Sequence, residues 1–327
     1  MTLTSNLHIE PGDKLDHFEI ESIAATSGMA TVLRARDLNT GQRVAIKLPH
    51  PEIESDPALV ERFEREEEIG RTIDHPGVMK VYPNPDRSRV YMVMEWIDGR
   101  LLRTILNEEK KLPVALAVKL TGAICEALEH LHAHGVVHRD LKPENIMVDE
   151  QDHIRLIDFG IAANAGSRRL TFAKFSPSMG TPDYISPEQV RGKRGDARSD
   201  IYSTGVMLYE MLTGRVPFSG PNPFAVMNER LMNAPPAPRS LEKSISKQLQ
   251  EVIYRALERE PKNRYPHARE FAHDLEHLAE VGVMERGLGD SEESEEGPGR
   301  RRLVLYGVLA LLPILIFGLL YLVARGR

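Results

Sequence analysis

The sequence is almost without cysteine: Cys125 is the only one among 327 residues, so no disulfide can form within the chain. It also lacks an excess of basic charge, because 42 Lys and Arg face 48 Asp and Glu, a formal net charge of −6. Such a balance supplies no overall field that attracts a polyanion. Small disulfide-stapled secreted domains are therefore excluded, and we expect no nucleic-acid partner.

The N-terminus lacks the basic segment and apolar run of a signal peptide, so we expect the start of the chain to stay inside the cell. The one long hydrophobic run lies at the other end, where residues 303–324 read LVLYGVLALLPILIFGLLYLVA without a charge. At about 1.5 Å per residue this run covers the roughly 30 Å of a bilayer core. It predicts a transmembrane helix at 303–324, with an external tail at 325–327. A buried core helix is the less favoured alternative.

The segment before this run is acidic and rich in Ser and Gly, with ERGLGDSEESEEGPG at residues 285–299. Such a composition cannot bury enough apolar surface to fold, so residues 280–302 are predicted to form an acidic juxtamembrane linker. Three arginines at 300–302 directly precede the apolar run. The positive-inside rule and the missing signal peptide both place the preceding residues in the cytoplasm. We expect a single-pass protein of the cell (plasma or inner) membrane, anchored at its C-terminus.

Two kinds of pattern follow one another in the globular part. Up to residue 96, the runs HFEIESI, TVLRAR, RVAIKL and VYMVM have strand character, with one helical stretch at 57–73. After Gly99 helical patterns dominate, and the longest is predicted at 113–134, with a Pro near its start and Gly135 beyond its end. The sequence therefore predicts an α+β protein with a small β-rich lobe and a larger α-helical lobe.

Four short motifs occur in order: VAIK at 44–47, HRDLKPEN at 138–145, DFG at 158–160 and SPE at 186–188. With them the chain resembles the bacterial eukaryotic-like (Hanks-type) serine/threonine protein kinases, in which the last motif is usually APE. The resemblance implies the two-lobed protein kinase fold over residues 15–279, with an N-terminal extension at 1–14. The N-lobe is expected at about 15–96 and the C-lobe at about 99–279.

The resemblance implies a site that combines a phosphate-holding cation, metal-holding oxygens and a base, as phosphoryl transfer requires. Lys47 would hold the ATP phosphates, and Glu66 is predicted to pair with it. Glu64, Glu67 and Glu68 are competing candidates, and as neighbours of Glu66 they are otherwise expected on a solvated helix face.

The catalytic loop supplies the remaining chemistry that the resemblance implies. Asp140 is predicted to accept the proton of the substrate hydroxyl, and Lys142 to lie against the transferred phosphate. Asn145 and Asp158 are the predicted ligands of the metal, for which their oxygen atoms favour Mg²⁺ or Mn²⁺.

The loop that covers the phosphates departs from the family pattern, because the three glycines of G-x-G-x-x-G are replaced at positions 25, 27 and 30. We expect this loop to work with weakened ATP binding, since each added Cβ restricts the approach of the backbone to phosphate. Met94 would be the gatekeeper before the hinge, and Val32, Ala45 and Met147 would form the apolar walls around adenine. The predicted ATP-binding residues are Ala24, Ala25, Thr26, Ser27, Gly28, Met29, Ala30, Val32, Ala45, Lys47, Glu66, Met94, Glu95 and Ile97.

Regulatory and structural residues follow from the same resemblance. Arg139 precedes the predicted base, an arrangement in which a phosphate on the activation loop often pairs with the arginine. The hydroxyls suited to carry it are Thr171, Ser176 and Ser178. Thr181 is expected to shape the substrate pocket. Structural roles are predicted for Arg139, for Asp200 in holding the catalytic loop, and for Glu188 and Arg264 as an ion pair.

Two other features are assigned no function. The histidines in HLHAHGVVH at 130–138 and the pair His273 and His277 lack the spacing and acidic partners of metal sites, so structural or surface roles are expected. Cys125 lies on the apolar helix predicted at 113–134 and is expected to be buried and unreactive.

The function predicted from the sequence is that of a membrane-tethered serine/threonine protein kinase that uses ATP and phosphorylates its own activation loop. Its expected partners are protein substrates, the lipid bilayer and a second copy for phosphorylation in trans. The alternative is a catalytically weak pseudokinase that acts as a membrane scaffold. A small-molecule phosphotransferase is a third reading, which the SPE segment and the long activation loop disfavour.

Overall fold

A computed structural model describes residues 9–158 and 182–284. Several predictions fall outside the described residues: the apolar run at 303–324, most of the acidic linker, and the roles of Thr171, Ser176, Ser178 and Thr181. Within the described ranges, no helix combines the length and the apolar character needed to cross a membrane.

The first lobe is built on an antiparallel sheet of six strands in the order β1-β2-β3-β4-β6-β5. Its elements are β1 (Lys14–Leu15), β2 (Phe18–Thr26), β3 (Ala30–Asp37), β4 (Arg43–Pro49), α1 (Pro51–Glu54), α2 (Pro57–Thr72), β5 (Val81–Tyr82) and β6 (Met92–Glu95). The four predicted strands are confirmed as β2, β3, β4 and β6. The expectation of a single helical stretch is wrong, because Pro51 starts the short helix α1 directly after β4.

The two faces of this sheet have different roles, which follow from its register. Lys47 lies opposite Val32 on β3 and opposite Met92 on β6, so these three side chains share one face. Residues of the opposite face, such as Leu33 and Ile46, are completely buried in a separate small core. The sheet thus keeps Lys47 on the face that packs toward the rest of the molecule.

The second lobe is mainly helical. Its elements are β7 (Arg100–Leu101), α3 (Leu102–Glu109), α4 (Val114–Ala133), β8 (Ile146–Val148), β9 (Ile154–Leu156), α5 (Pro187–Val190), α6 (Ala197–Thr213), α7 (Pro223–Met232), α8 (Pro238–Leu241), α9 (Lys247–Ala256) and α10 (Ala268–Glu276), with 3₁₀ turns at Pro143–Asn145, Pro261–Asn263 and Leu278–Glu280. The strands β7, β8 and β9 form a small antiparallel sheet.

Helices α4 and α6 form the centre of this lobe. The predicted helix at 113–134 is confirmed as α4, and Gly135 ends it with a φ of 73°, which glycine adopts without steric cost. Cys125 on α4 is completely buried, and this burial raises the pKa of its thiol. On α6, a Cβ at Gly205 would lie 2.8 Å from the Cβ of Ala256, so this glycine allows α9 to pack closely. The result is a rigid base beneath the loop at 138–145.

Candidate active site

The loop at 138–145 lies between α4 and β8, and the carboxylate of Asp200 on α6 holds its backbone. The side chain of Asp200, completely buried on α6, accepts hydrogen bonds from the backbone N–H of His138 at 2.9 Å and of Arg139 at 2.7 Å. His132 Nε2 on α4 lies 2.8 Å from the same carboxylate. The backbone hydrogen bonds predicted for Asp200 are therefore present.

The backbone of Arg139 has an uncommon conformation, with a φ of 63°. For a residue with a Cβ this left-handed conformation costs roughly 1–2 kcal/mol. The peptide groups on both sides are fixed, because Asp200 accepts from the Arg139 N–H and Gln189 Nε2 donates to the Arg139 carbonyl at 2.9 Å. These contacts over-determine the turn that presents the next residue, Asp140.

In this loop, both the carboxylate and the backbone carbonyl of Asp140 accept hydrogen bonds. Lys142 Nζ donates to Asp140 Oδ2 at 2.8 Å, and Asn145 Nδ2 donates to the backbone carbonyl of Asp140 at 2.8 Å. The carboxylate is 46% exposed, so it is oriented and still open to a substrate group. This arrangement suits a base that receives a proton from a hydroxyl at the surface.

Lys47 joins the two lobes through a pair of carboxylates. Its Nζ lies 2.8 Å from Glu66 Oε1 on α2 and 2.7 Å from Asp158 Oδ1 after β9. Burial works to lower the pKa of the Lys47 ammonium, but the charges of Asp158 and Glu66 outweigh it and raise this pKa. Burial works to raise the pKa of Asp158, but Lys47 holds it below its usual range. The ammonium is thus a fixed positive charge held between the carboxylates of Glu66 and Asp158.

Of the four glutamates considered for the pairing, Glu66 is the one that contacts Lys47. Burial raises its pKa to about 7. The expectation that its neighbours form a solvated face is wrong for Glu67, which is 6% exposed and accepts from Arg87 Nη1 at 2.6 Å. Glu64 and Glu68 are exposed as expected. Two glutamates of the acidic run are therefore buried, Glu66 beside Lys47 and Glu67 beside Arg87.

Asn145 and Asp158 are brought together by the β8–β9 hairpin. Ile146 pairs with Leu156, and the Ile157 N–H donates to the Asn145 carbonyl at 3.1 Å. A carboxylate and an amide oxygen are ligands that suit a hard divalent cation, whose other positions phosphate and water oxygens can fill. Within the described ranges, no group of three or more His, Cys, Asp and Glu is arranged to hold a metal. Asn145 and Asp158 thus offer oxygen ligands that fit a divalent cation shared with phosphate.

The loop between β2 and β3 contains the replaced glycines. Ser27 Oγ accepts from the backbone N–H of Met29 at 3.3 Å and of Ala30 at 3.1 Å. None of residues 24–30 has a positive φ, so the replacements create no backbone strain. Ala25 lies opposite Val32, on the face of Lys47. The replacements thus leave a Cβ at Ala25 on the face of Lys47, and a Ser27 hydroxyl that occupies two backbone N–H donors.

Comparisons with known proteins agree with this geometry. The protein kinase domain model matches residues 25–275. The chain belongs to the protein kinase family. The serine/threonine-protein kinase PknB of Mycobacterium tuberculosis is 35% identical over 291 residues, which are 87% of this chain and 46% of PknB. A probable serine/threonine-protein kinase of Streptomyces coelicolor is 36% identical over 272 residues, 82% of this chain and 40% of that protein.

The chain therefore spans less than half the length of these curated relatives. The crystal structure of the Mycobacterium tuberculosis PknI kinase domain superposes with a TM-score of 0.64 at 23% identity, covering 83% of this chain and 99% of that chain. This likeness shows the two-lobed fold, and with the family match it confirms the fold predicted for the globular part from the motifs.

The side chains predicted to surround adenine are apolar and at least half-buried. Ala45 lies opposite Met94 across β4 and β6, and both are buried. Val32 and Ile97 are half-buried and pack on the same core, and Met147 lies half-buried on β8. The Glu95 side chain instead turns toward Arg155, at 3.4 Å, so this residue can serve a nucleotide only through its backbone.

The predicted pair of Glu188 and Arg264 is present in the large lobe. Arg264 Nη1 and Nη2 donate to the two oxygens of Glu188 at 2.8 and 2.7 Å, and the Arg264 side chain is completely buried. Three backbone carbonyls also accept from this guanidinium, those of Arg198, Glu258 and Arg259. The pair ties α5 to the chain after α9.

Restoring glycine at positions 25, 27 and 30 of the chain is expected to lower the KM for ATP by about threefold to tenfold. The reason is that the triple variant removes the Cβ atoms and releases two amide donors to phosphate. Steady-state kinetics at varied ATP measures it. The control Ser27→Ala releases the amides but keeps a Cβ, so it should give part of the gain. An unchanged KM in the triple variant would contradict the expectation.

Two residues of the site, Gln189 and Arg103, were missed by the sequence reasoning, whereas His132 has the structural role expected for the histidines at 130–138. Gln189 and His132 support the catalytic loop, and Arg103 on α3 contacts Glu144 in that loop. Their partners lie 41 to 68 residues away in the sequence. No local pattern marks such contacts.

Proposed function

We propose that the protein is a serine/threonine protein kinase that transfers the γ-phosphate of ATP to hydroxyl groups of proteins. The observation that carries the proposal is the joined set of Lys47, Glu66 and Asp158, with Asp140 open beside Lys142. Its relatives carry the name serine/threonine-protein kinase, which supports Ser and Thr as acceptors.

The proposed mechanism divides the work among residues of the two lobes. Lys47, fixed by Glu66, binds phosphate oxygens of the nucleotide and aligns them with the acceptor. Asp140 takes the proton of the acceptor hydroxyl at its carboxylate, and Lys142 offsets negative charge that develops on the phosphoryl group. Asn145 and Asp158 would hold Mg²⁺ or Mn²⁺, which neutralises phosphate charge when it is bound.

The test is a transfer assay on the full chain with ATP labelled at the γ-phosphate, beside ATP labelled at the α-phosphate. We expect label from the γ position alone to reach a generic acceptor protein, and acid hydrolysis to release phosphoserine or phosphothreonine. Running the assay with Mg²⁺ and with Mn²⁺ identifies the working cation. No transfer at millimolar ATP by protein that is shown to be folded would refute the proposal.

Self-phosphorylation of the activation loop belongs to the same proposal. Burial and the nearby charge of Arg194 lower the pKa of Arg139. Among the described residues, the Arg139 guanidinium donates one hydrogen bond, from Nε to the Gly195 carbonyl at 3.4 Å. A phosphate would find a charge-assisted site here. Mass spectrometry of protein from a kinase-free host tests it, because phosphates that persist in Asp140→Asn would contradict self-phosphorylation.

We also propose that the apolar run at 303–324 anchors the kinase in the cell membrane with residues 9–284 on the cytoplasmic side, where anchored copies phosphorylate one another as dimers. Its length and lack of charge support the anchor. Fractionation checks it: the protein should stay with membranes in alkaline carbonate, and Leu311→Arg with Leu315→Arg should release it. Release of the unchanged protein would contradict the anchor.

A weakly active scaffold is the second candidate function. The hydrogen bonds of Ser27 Oγ to the Met29 and Ala30 amides favour it, because they occupy donors that a phosphate would use. Lys47, Asp140 and Asp158 oppose it, since a scaffold has no physical need for them together. Nucleotide binding without transfer would decide for the scaffold.

A further inference from the structure

His50 is attached at two points to the β2–β3 loop (residues 27–29) and its junction with β3. Its backbone N–H donates to the Met29 carbonyl at 2.9 Å, and its ring Nε2 lies 3.1 Å from the Thr31 hydroxyl oxygen. Because β3 begins directly after Met29 and β4 ends directly before His50, the first bond extends the β3–β4 ladder by one step. His50 thereby joins the loop to the end of β4.

The β2–β3 loop keeps its shape through hydrogen bonds of its own. The Ser27 N–H and the Ser27 hydroxyl both donate to the Ala30 carbonyl at 2.9 Å. A loop closed in this way keeps its shape, so its distance from Lys47 depends on what attaches it to the sheet. In the described part of the chain, the hydrogen bonds that reach residues 27–31 from beyond β2 and β3 come from β4 and from His50.

His50 is itself held by the short helix α1. It is the N-cap residue of this helix, and its carbonyl accepts from the N–H groups of Ile53 at 2.9 Å and Glu54 at 3.2 Å. The Glu54 carboxylate in turn accepts from Arg89 Nε at 2.9 Å and lies 2.7 Å from Arg89 Nη2. The attachment of the loop is therefore fixed to the body of the first lobe.

The ring of His50 lies on the side of the sheet away from Lys47. Val32 is opposite Lys47 and shares its face. Thr31 precedes Val32 on β3, so its side chain lies on the other face, and the ring that contacts it lies there too. Any effect of this ring on a phosphate bound by Lys47 must therefore pass through the loop.

We propose that His50 is a positioning residue for the nucleotide: it keeps the β2–β3 loop at the distance from Lys47 at which one phosphate chain contacts both. Backbone N–H groups of such a loop bind phosphate only when they are aimed at it. The inference rests on the proposed kinase function and adds to it the residue that fixes the altered loop. Loss of the ring should weaken the binding of phosphate groups and leave the binding of adenine unchanged.

A purely structural role of His50 gives a different result. If the ring only stabilises the first lobe, its loss weakens the binding of every ligand of the cleft by the same factor. Adenosine has the base and the ribose of ADP without the phosphates. The ratio of the Kd for adenosine to the Kd for MgADP cancels a uniform loss, and this ratio is the readout.

The experiment measures binding of radiolabelled MgADP and adenosine to the full chain by equilibrium dialysis. Wild type is compared with His50→Ala, with Thr31→Val and with the double variant. In His50→Gln the amide can replace the ring nitrogen, since the Thr31 hydroxyl both donates and accepts. His273→Ala is the matched control, because His273 is 57% exposed on α10 of the second lobe. Thermal unfolding without nucleotide checks that each variant is folded.

We expect His50→Ala to lower the ratio about fivefold, within the range that one hydrogen bond contributes. The loss should come from MgADP, and the Kd for adenosine should stay within about twofold of wild type. Thr31→Val should give the same loss, a result that stands even if His50→Ala fails to fold. The double variant should lose no more, because the two side chains share one bond. His50→Gln and His273→Ala should stay within about twofold of wild type.

Other outcomes overturn the inference. A wild-type ratio in folded His50→Ala and Thr31→Val would show that the ring does not position the loop. Equal losses for adenosine and MgADP would show a structural role, and additive losses in the double variant would show that the side chains act separately. A wild type that binds MgADP no better than adenosine would show that the loop holds no phosphate. A wild type that binds MgADP but transfers no phosphate would refute the proposed kinase function alone, since the ratio still tests His50.

Discussion

Replacing Asp140 with Asn is expected to lower kcat for phosphate transfer by about 10²–10⁴-fold, the usual contribution of a positioned acid or base. The side chain keeps its shape, so Lys142 can still approach an oxygen at position 140. An amide, however, cannot accept the proton of the acceptor hydroxyl. The KM for ATP should change by less than about threefold, because the nucleotide contacts assigned to Lys47 lie on the other lobe.

The measurement is initial velocity against ATP and acceptor protein for the full chain. Asp152→Asn is a matched control, since it makes the same chemical change on an exposed aspartate whose partner is Lys119, at 3.0 Å. That variant should keep wild-type kinetics. Equal kcat for Asp140→Asn and wild type would show that Asp140 is not the base.

Replacing Arg264 with Ala is expected to lower the free energy of unfolding by about 3–5 kcal/mol, the loss found when one partner of a buried ion pair is removed. The Glu188 carboxylate would stay buried, with Ser199 Oγ as its donor at 2.6 Å. Three carbonyl groups would also lose their donor. Since domains are stable by about 5–15 kcal/mol, the variant should be close to unfolding at 37 °C.

Urea unfolding followed by circular dichroism measures this change in the full chain. Arg191→Ala is the control, because its pair with Glu260 is exposed and should contribute at most about 1 kcal/mol. Burial works to raise the pKa of Glu188, but Arg264 holds it below its ordinary value of 4.5. The stabilisation is therefore complete above pH 4.5 and is lost as the pH falls further. A loss no larger than that of Arg191→Ala would contradict the expected role of the pair.

Most strands and helices could be predicted from the sequence because their patterns are local. The alternation in RVAIKL places Lys47 on one face of β4, and the apolar spacing on α4 gives a helix that ends at Gly135. The short α1 was missed because the four residues of Pro51–Glu54 carry no periodic pattern. Strands of two residues, such as β5, exist through their pairing with neighbours and have no signal of their own.

The site residues also divide into those that a local motif predicts and those whose contacts have no local signal in the sequence. Motif spacing pointed to Glu66 among four glutamates, although hydrophobicity could not distinguish it from Glu67, whose partner Arg87 lies 20 residues away. The hydroxyl of Ser27 accepts hydrogen bonds from two backbone N–H groups of its own turn. The sequence shows only that position 27 is not glycine, and it does not reveal these hydrogen bonds. The contacts of Arg103 reach residues 41, 81 and 107 positions away, so they arise only when the lobe folds.

The hold of Asp200 on the catalytic loop also has a consequence for synthesis of the protein. The catalytic loop emerges from the ribosome before Asp200, whose carboxylate holds Arg139. Asp200 follows Arg139 by 61 residues in the sequence. At about 5–20 residues per second this delay is about 3–12 seconds. During it, the nascent chain contains the catalytic loop without the contacts that favour its left-handed turn. A product that stops before residue 200 should therefore carry the full loop sequence and remain inert.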